Sequence, residues 1–331
     1  MTIVKRAHAR AGLLGNPSDQ YFGKIIAISV RNFSARAFIT ESDRIVIEPG
    51  GEDRPVYASA AEFVGKIDRY GYYGGERLIK AALKVFFDYS TRQNIKLREM
   101  NFHVGYDSDI PRQVGLAGSS AIVVAVMRGL MEFYGVEIPV EILPTLALQA
   151  ERQELGINAG FMDRVAQVYE GCVYMDLEKR MIEEKGHGRY ERLDPRRLPP
   201  LYLAYKPELG KVSGQVHSEI RTAYDRGDAA VIEALRRLAE TAAEGWEGYQ
   251  RNDFSRWPAL MNESFDLRSR MMRISEANLA MIRAARGCGA SANSAGSGGS
   301  IIGIYDGEPM FERLAAALGG LGATVIKPQV A

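Results

Sequence analysis

The sequence predicts an α+β fold in two domains. The chain has 331 residues, long for a single compact core. Its C-terminal part reads strand, helices, strand, helix, strand, an order that suits an open α+β sandwich. Between the halves lies EKRMIEEKGHGRYERLDPRRLPP, residues 178–200, charged, bounded by prolines and without periodicity. This stretch places the boundary, giving a first domain over 1–195 and a second over 196–331.

Taken in order, residues 7–40 alternate short apolar runs with turns and read as a strand, a loop over a pocket and two paired strands. The pairing run, KIIAISVRNFSARAFIT, carries Ile25, Ile26, Ile28 and Val30, then Phe33 and Phe38. Residues 44–60 read as a further strand region closing in the turn Pro49, Gly50, Gly51. An amphipathic helix then starts near Gly75, marked by Leu78, Ala82, Val85, Phe86 and Tyr89. Tyr72 and Tyr73 before it either line a pocket or sit at a boundary as ordinary aromatics. EILPTLALQAERQEL reads as a helix carrying Glu151, interrupted by Gly156 to Gly160. A short helix begins near Asp163, and GCVYMDL is a strand. LYLAYK is a strand, and GKVSGQVHSEI is a polar turn whose Ser213, Gly214, His217 and Ser218 either close over a substrate or simply start a helix. Residues 228–285 read as two or three helices broken around Asn252 to Pro258. SIIGIY, a helix near 308–319 and ATVIKP finish the chain.

Composition excludes several classes. Hydrophobic residues make up 46% and charged residues 25%, ordinary for a globular protein, and a net charge of +1 offers no footprint for nucleic acid or an anionic membrane. No segment reaches the ~18 apolar residues of a membrane helix, and the N-terminus lacks the apolar run of a signal peptide. Cys172 and Cys288 have no metal or redox spacing and read as core thiols of a reducing compartment, so the expected location is the cytoplasm.

The chemistry gathers at PRQVGLAGSSAIVVAVMRGLMEFY, residues 111–134. Gly115, Ala117, Gly118, Ser119 and Ser120 leave backbone N–H groups uncovered at the start of a helix whose Ile122, Val126, Leu130 and Tyr134 recur every four residues. Gly135 ends it. Exposed N–H groups and the positive end of the helix dipole suit a phosphate, though by itself such a loop also serves to let a helix pack close. NPSD, with Asn16 and Asp19, is by itself a good turn sequence. Glu151 and Asp163 lie on either side of one glycine-containing turn.

Pro111 and the run GLAGSSA resemble the phosphate-binding second motif of the GHMP kinases, the superfamily of galactokinase, homoserine kinase, mevalonate kinase and phosphomevalonate kinase. No Gly-Lys-Ser/Thr closes the loop, so it is not a Walker A sequence. Arg10, Gly15, Asn16 and Asp19 fall at the spacing of the sugar-kinase first motif, with Asn16 and Pro17 in place of its Glu and His. ERQELGINAGFMD has the carboxylate, glycine and aspartate spacing of the heptose and uronate branch. With GLLGNPSD, GYYGGERLIKA, LPPLYLAY and AGSGGS, these segments resemble the glucuronokinase family from about residue 10 to residue 305. In that family's Ser-Gly-Lys-Val-His-Ser turn and before its last glycine motif stand lysines, where this chain has Gln215 and Asn293.

The resemblance implies an N-terminal domain of the ribosomal protein S5 domain 2 type, a ferredoxin-like C-terminal domain, and a site between them. It implies ATP and Mg²⁺ as cofactors and a sugar or uronic acid as the small-molecule substrate. Pro111, Gly115, Leu116, Ala117, Gly118, Ser119 and Ser120 would bind the nucleotide, with Ser120 and Glu151 on the metal. Asp163 would take the proton of the attacking hydroxyl and Arg10 would balance it. Asn16, Asp19, Gly296, Gly298 and Gly299 would hold substrate, and Arg112 or Arg164 would meet a uronate carboxylate. A GHMP kinase for another acceptor and a catalytically silent sugar sensor are the alternatives. Oligomeric state is not legible.

Overall fold

The computed structural model describes residues 1–50, 58–60, 62–65, 74–207 and 220–330. Gly51, Tyr72, Tyr73, Ser213, Gly214, Gln215, His217 and Ser218 lie outside the described residues. Strand β1 (Thr2–Leu14) runs antiparallel to β2 (Lys24–Ser42) along almost its whole length. On its other edge, β2 pairs β4 (Asn101–Ser108) through Ala35 to Ser42 and β5 (Cys172–Asp176) through Lys24 to Ile28. The short β3 (Val46–Ile47) lies parallel to β4, and β6 (Arg189–Leu193) antiparallel to β5.

Residues 24–42 therefore form one continuous strand rather than two paired ones. The polar break that suggests a turn is absorbed as a bulge. Pairing steps from His8↔Ser34 to Ala9↔Val30, which leaves Arg31 to Phe33 out of register. The bulge binds the chain's end, since Arg31 N donates to the Gln329 carbonyl at 2.8 Å and Gln329 N donates to Asn32 Oδ1 at 2.8 Å.

Helices α1 (Gly75–Arg92) and α2 (Gly118–Tyr134) pack together, and α2 also lies on β1 and β2. Small residues permit the approach. Ala7, Ala9, Ala11, Ala35 and Ala37 are fully buried, and a Cβ on Gly129 of α2 would stand 2.7 Å from Ile39 Cδ1. Gly135 closes α2 in the left-handed conformation at φ 67°. Next, α3 (Leu143–Gln149) does not run regularly through Glu151. It widens into a π turn over Ala150–Glu154, which buries Glu151 instead of leaving it on a solvated helix surface. Helix α4 (Met162–Tyr169) follows, then β5.

The charged, aperiodic stretch 178–200 contains α5 (Lys179–Lys185) and β6, and β6 belongs to the first sheet. Pairing with β5 supplies what its sequence alone does not. The chain enters the second sheet at β7 (Leu201–Tyr205), whose antiparallel order is β10, β7, β9, β8, with β8 (Asn293–Ser294), β9 (Ser300–Ile304) and β10 (Thr324–Ile326). Between β7 and β8 lie α6 (Ala229–Arg251), α7 (Trp257–Met271) and α8 (Glu276–Gly287), and α9 (Gly307–Gly319) joins β9 to β10. Asp228 and Ser275 cap α6 and α8 by accepting backbone N–H bonds. Cys172 is buried, whereas Cys288 is only partly so.

One apolar core runs through both sheets, joining Leu13, Ile28 and Val124 to Leu203, Trp257 and Ile302. No helix among the described residues is long and apolar enough to cross a membrane. Trp257 is buried at 1% exposure, and its Nε1 donates to the Gly245 carbonyl at 3.1 Å, tying α7 to α6. Trp257→Ala is expected to cost about 3–5 kcal/mol in urea unfolding. A loss below about 1 kcal/mol would show that this seam is not part of the cooperative core.

Candidate active site

The edge of β1 turned away from β2 is where distant segments meet. Arg10 N donates to the Leu116 carbonyl at 3.3 Å, and Gly12 N to the Ala295 carbonyl at 2.8 Å. Arg10 itself is buried. Its Nη1 donates to the carbonyls of Gly115, at 2.6 Å, and Ala295, at 3.1 Å, while Nε donates to Asp163 Oδ1 at 2.7 Å.

The loop before α2 is held open by left-handed residues, with φ 57° at Gln113, 73° at Gly115 and 64° at Ala117. Ala117 is the N-cap and carries no side-chain acceptor, so no side chain caps the N–H groups of Gly118, Ser119 and Ser120 that open the helix at the positive end of its dipole. Pro111 opens the loop and Leu116 anchors it in the core. The Ala117 carbonyl accepts from Ser120 Oγ at 3.2 Å and from Gln167 Nε2 of α4 at 2.8 Å. From α2, Arg128 reaches back to the Gln167 and Val168 carbonyls at 3.1 and 3.0 Å, so α4 is held against the helix that bears the loop.

The second glycine-rich stretch packs backbone to backbone on this loop. A Cβ at Gly115 would lie 2.8 Å from Gly298 O, and one at Gly296 would lie 2.0 Å from Gly115 O and 2.7 Å from Arg10 Nη1. Gly299 adopts φ 82°, and its N–H donates to Asn278 Oδ1 of α8 at 3.0 Å. Ser300 Oγ donates to the Val114 carbonyl at 2.6 Å. Asn293, standing where the similar family carries a lysine, is buried and donates to the Leu13 carbonyl at 2.9 Å. Its contacts are those of a strand seam.

Asp163 sits in the first turn of α4 beside Arg10, with Arg164 Nη1 at 3.4 Å from its Oδ2. Arg164 turns the other way. Its Nε donates to Glu151 Oε2 at 2.7 Å, its Nη2 bonds the same oxygen, and Nη1 donates to the Gly160 carbonyl at 2.8 Å. Burial opposes the Arg164 charge, but Glu151 and Asp163 outweigh it and hold the guanidinium protonated. Arg112, the other arginine considered for a carboxylate, is exposed.

Asp19, in the turn Ser18–Gln20, accepts the Met162 N–H on Oδ2 at 3.0 Å, which brings it beside Asp163. Gly160 makes this possible, since a Cβ there would stand 1.9 Å from Asp19 Oδ2. Burial, with Asp163 adding to it against the Met162 bond, pushes the Asp19 carboxyl up to about 6. Asn16 is buried close to Gly12, and its Nδ2 has no partner among the described residues.

The structure thus gathers Arg10, Asp19, Gly115, Asp163 and Gly296 at one place, with Glu151 and Arg164 directly behind. Gln167, Asn278 and Arg268 escaped sequence reading. Gln167 had a signal, standing one helical turn after Asp163; Asn278 and Arg268 sit in polar helix sequence that marks no particular residue.

An S5-like sheet with helices, a second antiparallel sheet and a phosphate loop sharing an arginine with an aspartate define a GHMP-type kinase site. Residues 77–171 match the model of the GHMP kinases N terminal domain. The chain is 42% identical to Glucuronokinase 1 of Arabidopsis thaliana over 306 residues, which cover 91% of this chain and 84% of that one. It is 43% identical to Probable glucuronokinase 2 of the same plant over 304 residues, 90% and 82% of the two chains. The chain therefore belongs to the GHMP kinases, within the glucuronokinase family. A solved structure of Lactococcus lactis galactokinase complexed with galactose superposes with a TM-score of 0.77 at 15% identity, covering 99% of this chain and 93% of that one. The expected GHMP kinase fold, with its ferredoxin-like second half, is borne out.

Asp19 makes stability depend on pH. Its folded-state value lies above the ordinary 3.8, so the folded protein binds the proton more tightly and loses stability as pH rises from about 4 through about 6. Asp19→Asn keeps an acceptor for the Met162 N–H without the charge. The variant is expected to melt above the wild type at pH 7, with the gap closing below pH 4; a gap independent of pH would show that the Asp19 charge is not the cause.

Proposed function

We propose that this chain is an ATP-dependent sugar kinase that transfers the γ-phosphate to the anomeric hydroxyl of D-glucuronate, giving glucuronate 1-phosphate and ADP. The observation that carries this reading is the Arg10 to Asp163 ion pair, set on the same guanidinium that clasps the phosphate loop. The family supports the acceptor.

In this reading the halves 1–195 and 196–331 form two lobes around the nucleotide and the sugar. The ATP phosphates lie against the N–H groups of Gly118, Ser119 and Ser120, fixed donors that need no rearrangement as charge shifts in transfer. Asp163 Oδ2 accepts the proton of the anomeric hydroxyl as its oxygen bonds to the γ-phosphorus and the bond to the β-phosphate oxygen breaks. Arg10, bonded to Asp163 Oδ1, holds the carboxylate in place and faces the developing phosphoryl charge. Gly296 and Gly298 keep the opposite wall free of side chains, so backbone can approach the transferring group. Asn16 and Asp19 orient the sugar hydroxyls.

The residues present also fit a magnesium ion. The Ser120 hydroxyl and the Glu151 carboxylate are hard oxygen donors, and a Mg²⁺ ion bound with nucleotide needs only one or two such groups besides phosphates and water. Both Arg164 bonds fall on Glu151 Oε2, which leaves Oε1 for the ion. Held by Ser120 and Glu151, the ion would neutralise phosphate charge during transfer.

ATP turnover measured with glucuronate, galacturonate, galactose, a heptose 7-phosphate and mevalonate tests this reading. Turnover is expected on glucuronate above the others, and Asp163→Asn is expected to lower kcat at least ~10²-fold while ATP binding persists. Silence across the panel would favour a sugar sensor, and near-normal kcat in the variant would remove Asp163 from its role.

A further inference from the structure

Arg268, in the last turn of α7, is 2% exposed and among the largest fully buried side chains. Its Nε and Nη1 are buried with no hydrogen-bond partner among the described residues. The other two arginines buried among the described residues are satisfied, Arg10 by Asp163 and Arg164 by Glu151. A guanidinium taken out of water without a carboxylate is costly to the fold, so an unpaired one at a binding site marks a charge that arrives with a ligand.

Its surroundings tell what that charge is. α7 packs against β1, and the charges Arg268 responds to are those of Arg10 and Asp19. Burial and then Arg10 draw its guanidinium down to about 10, with Asp19 opposing, so it is charged at neutral pH. Asp19 does not bond it, and Asp19 Oδ2 is taken by the Met162 N–H. Three residues before Asp19, Asn16 Nδ2 is buried and has no partner among the described residues either. The unmet groups of Arg268 and Asn16 are all donors, belonging to a planar fork and an amide. That set matches a group with two acceptor oxygens and a negative charge, which a carboxylate supplies and a sugar hydroxymethyl does not.

We propose that Arg268 binds the acceptor's carboxylate and sets the preference for a uronic acid over a neutral sugar. The inference rests on the sugar-kinase reading above. With the anomeric hydroxyl at Asp163, the ring passes Asp19 and its carboxylate meets Arg268 at the far end. Arg164 is not needed for this role, being already joined to Glu151. An arginine kept unpaired for a ligand also burdens the free protein, so function and stability pull against each other at this position.

Arg268→Gln separates the possibilities. Steady-state kinetics with glucuronate and with its uncharged amide, glucuronamide, are expected to show glucuronate KM raised at least tenfold. The KM for glucuronamide and for ATP should stay near that of the wild type. Free Arg268→Gln is expected to melt at or above the wild type, yet to lose the rise in Tm that glucuronate gives. Arg268→Lys, which keeps the charge without the fork, should fall between the two. Equal losses on glucuronate and glucuronamide, or an unchanged glucuronate KM, would overturn the assignment while leaving the kinase intact. Wild-type protein that phosphorylates neutral sugars and ignores glucuronate would overturn the underlying reading as well.

Discussion

The Arg10 guanidinium joins three segments that are far apart in the chain: the phosphate loop through the Gly115 carbonyl, the second glycine-rich loop through the Ala295 carbonyl, and α4 through Asp163. It can do so because β1 carries it into a water-poor seam, with the alanines around it leaving room for α2. A lysine is a point charge on a flexible stem and could not make these bonds in fixed directions at once. The clasp explains the glycines as well. Gly115 and Gly296 are needed where two backbones and a guanidinium touch, and any side chain there would push the loops apart.

Around this clasp the site holds features that cost the fold free energy. Asp19 is buried far enough to resist ionisation, Arg268 and Asn16 hold unpaired donors, and Gln113 and Ala117 adopt left-handed backbone that side chains disfavour. The rest of the molecule supplies the compensation. One core crosses both sheets, and the bulge of β2 binds the C-terminal segment through Arg31 and Asn32.

How much of this was legible from residues alone differs by feature. The helix α2 was legible from its four-residue apolar repeat and closing glycine, and it begins and ends where the pattern placed it; the small residues before it, which by themselves also suit close helix packing, gained their phosphate reading from the family resemblance. Of the helices between Asp228 and Gly287, the break around Asn252 was legible, whereas the separation of α7 from α8 at Ser275 was not, and the sequence left two or three helices open. Glu151 and Asp163 gained meaning only through the family resemblance, since isolated carboxylates on helices are ordinarily solvated. The length of β2 was not legible, because a polar run that bulges out of one strand pairing looks like a turn. Nor was Arg268: Arg268, Arg270 and Arg273 follow one another along RSRMMR, and only tertiary packing decides which of them is buried.

The most direct test is a crystal structure of the Asp163→Asn protein with glucuronate and a nonhydrolysable ATP analogue. The γ-phosphate is expected against the N–H groups of Gly118 to Ser120, with the anomeric hydroxyl within hydrogen-bond reach of residue 163 and facing the γ-phosphorus. A sugar bound in the reverse sense, or phosphates seated away from the start of α2, would contradict it.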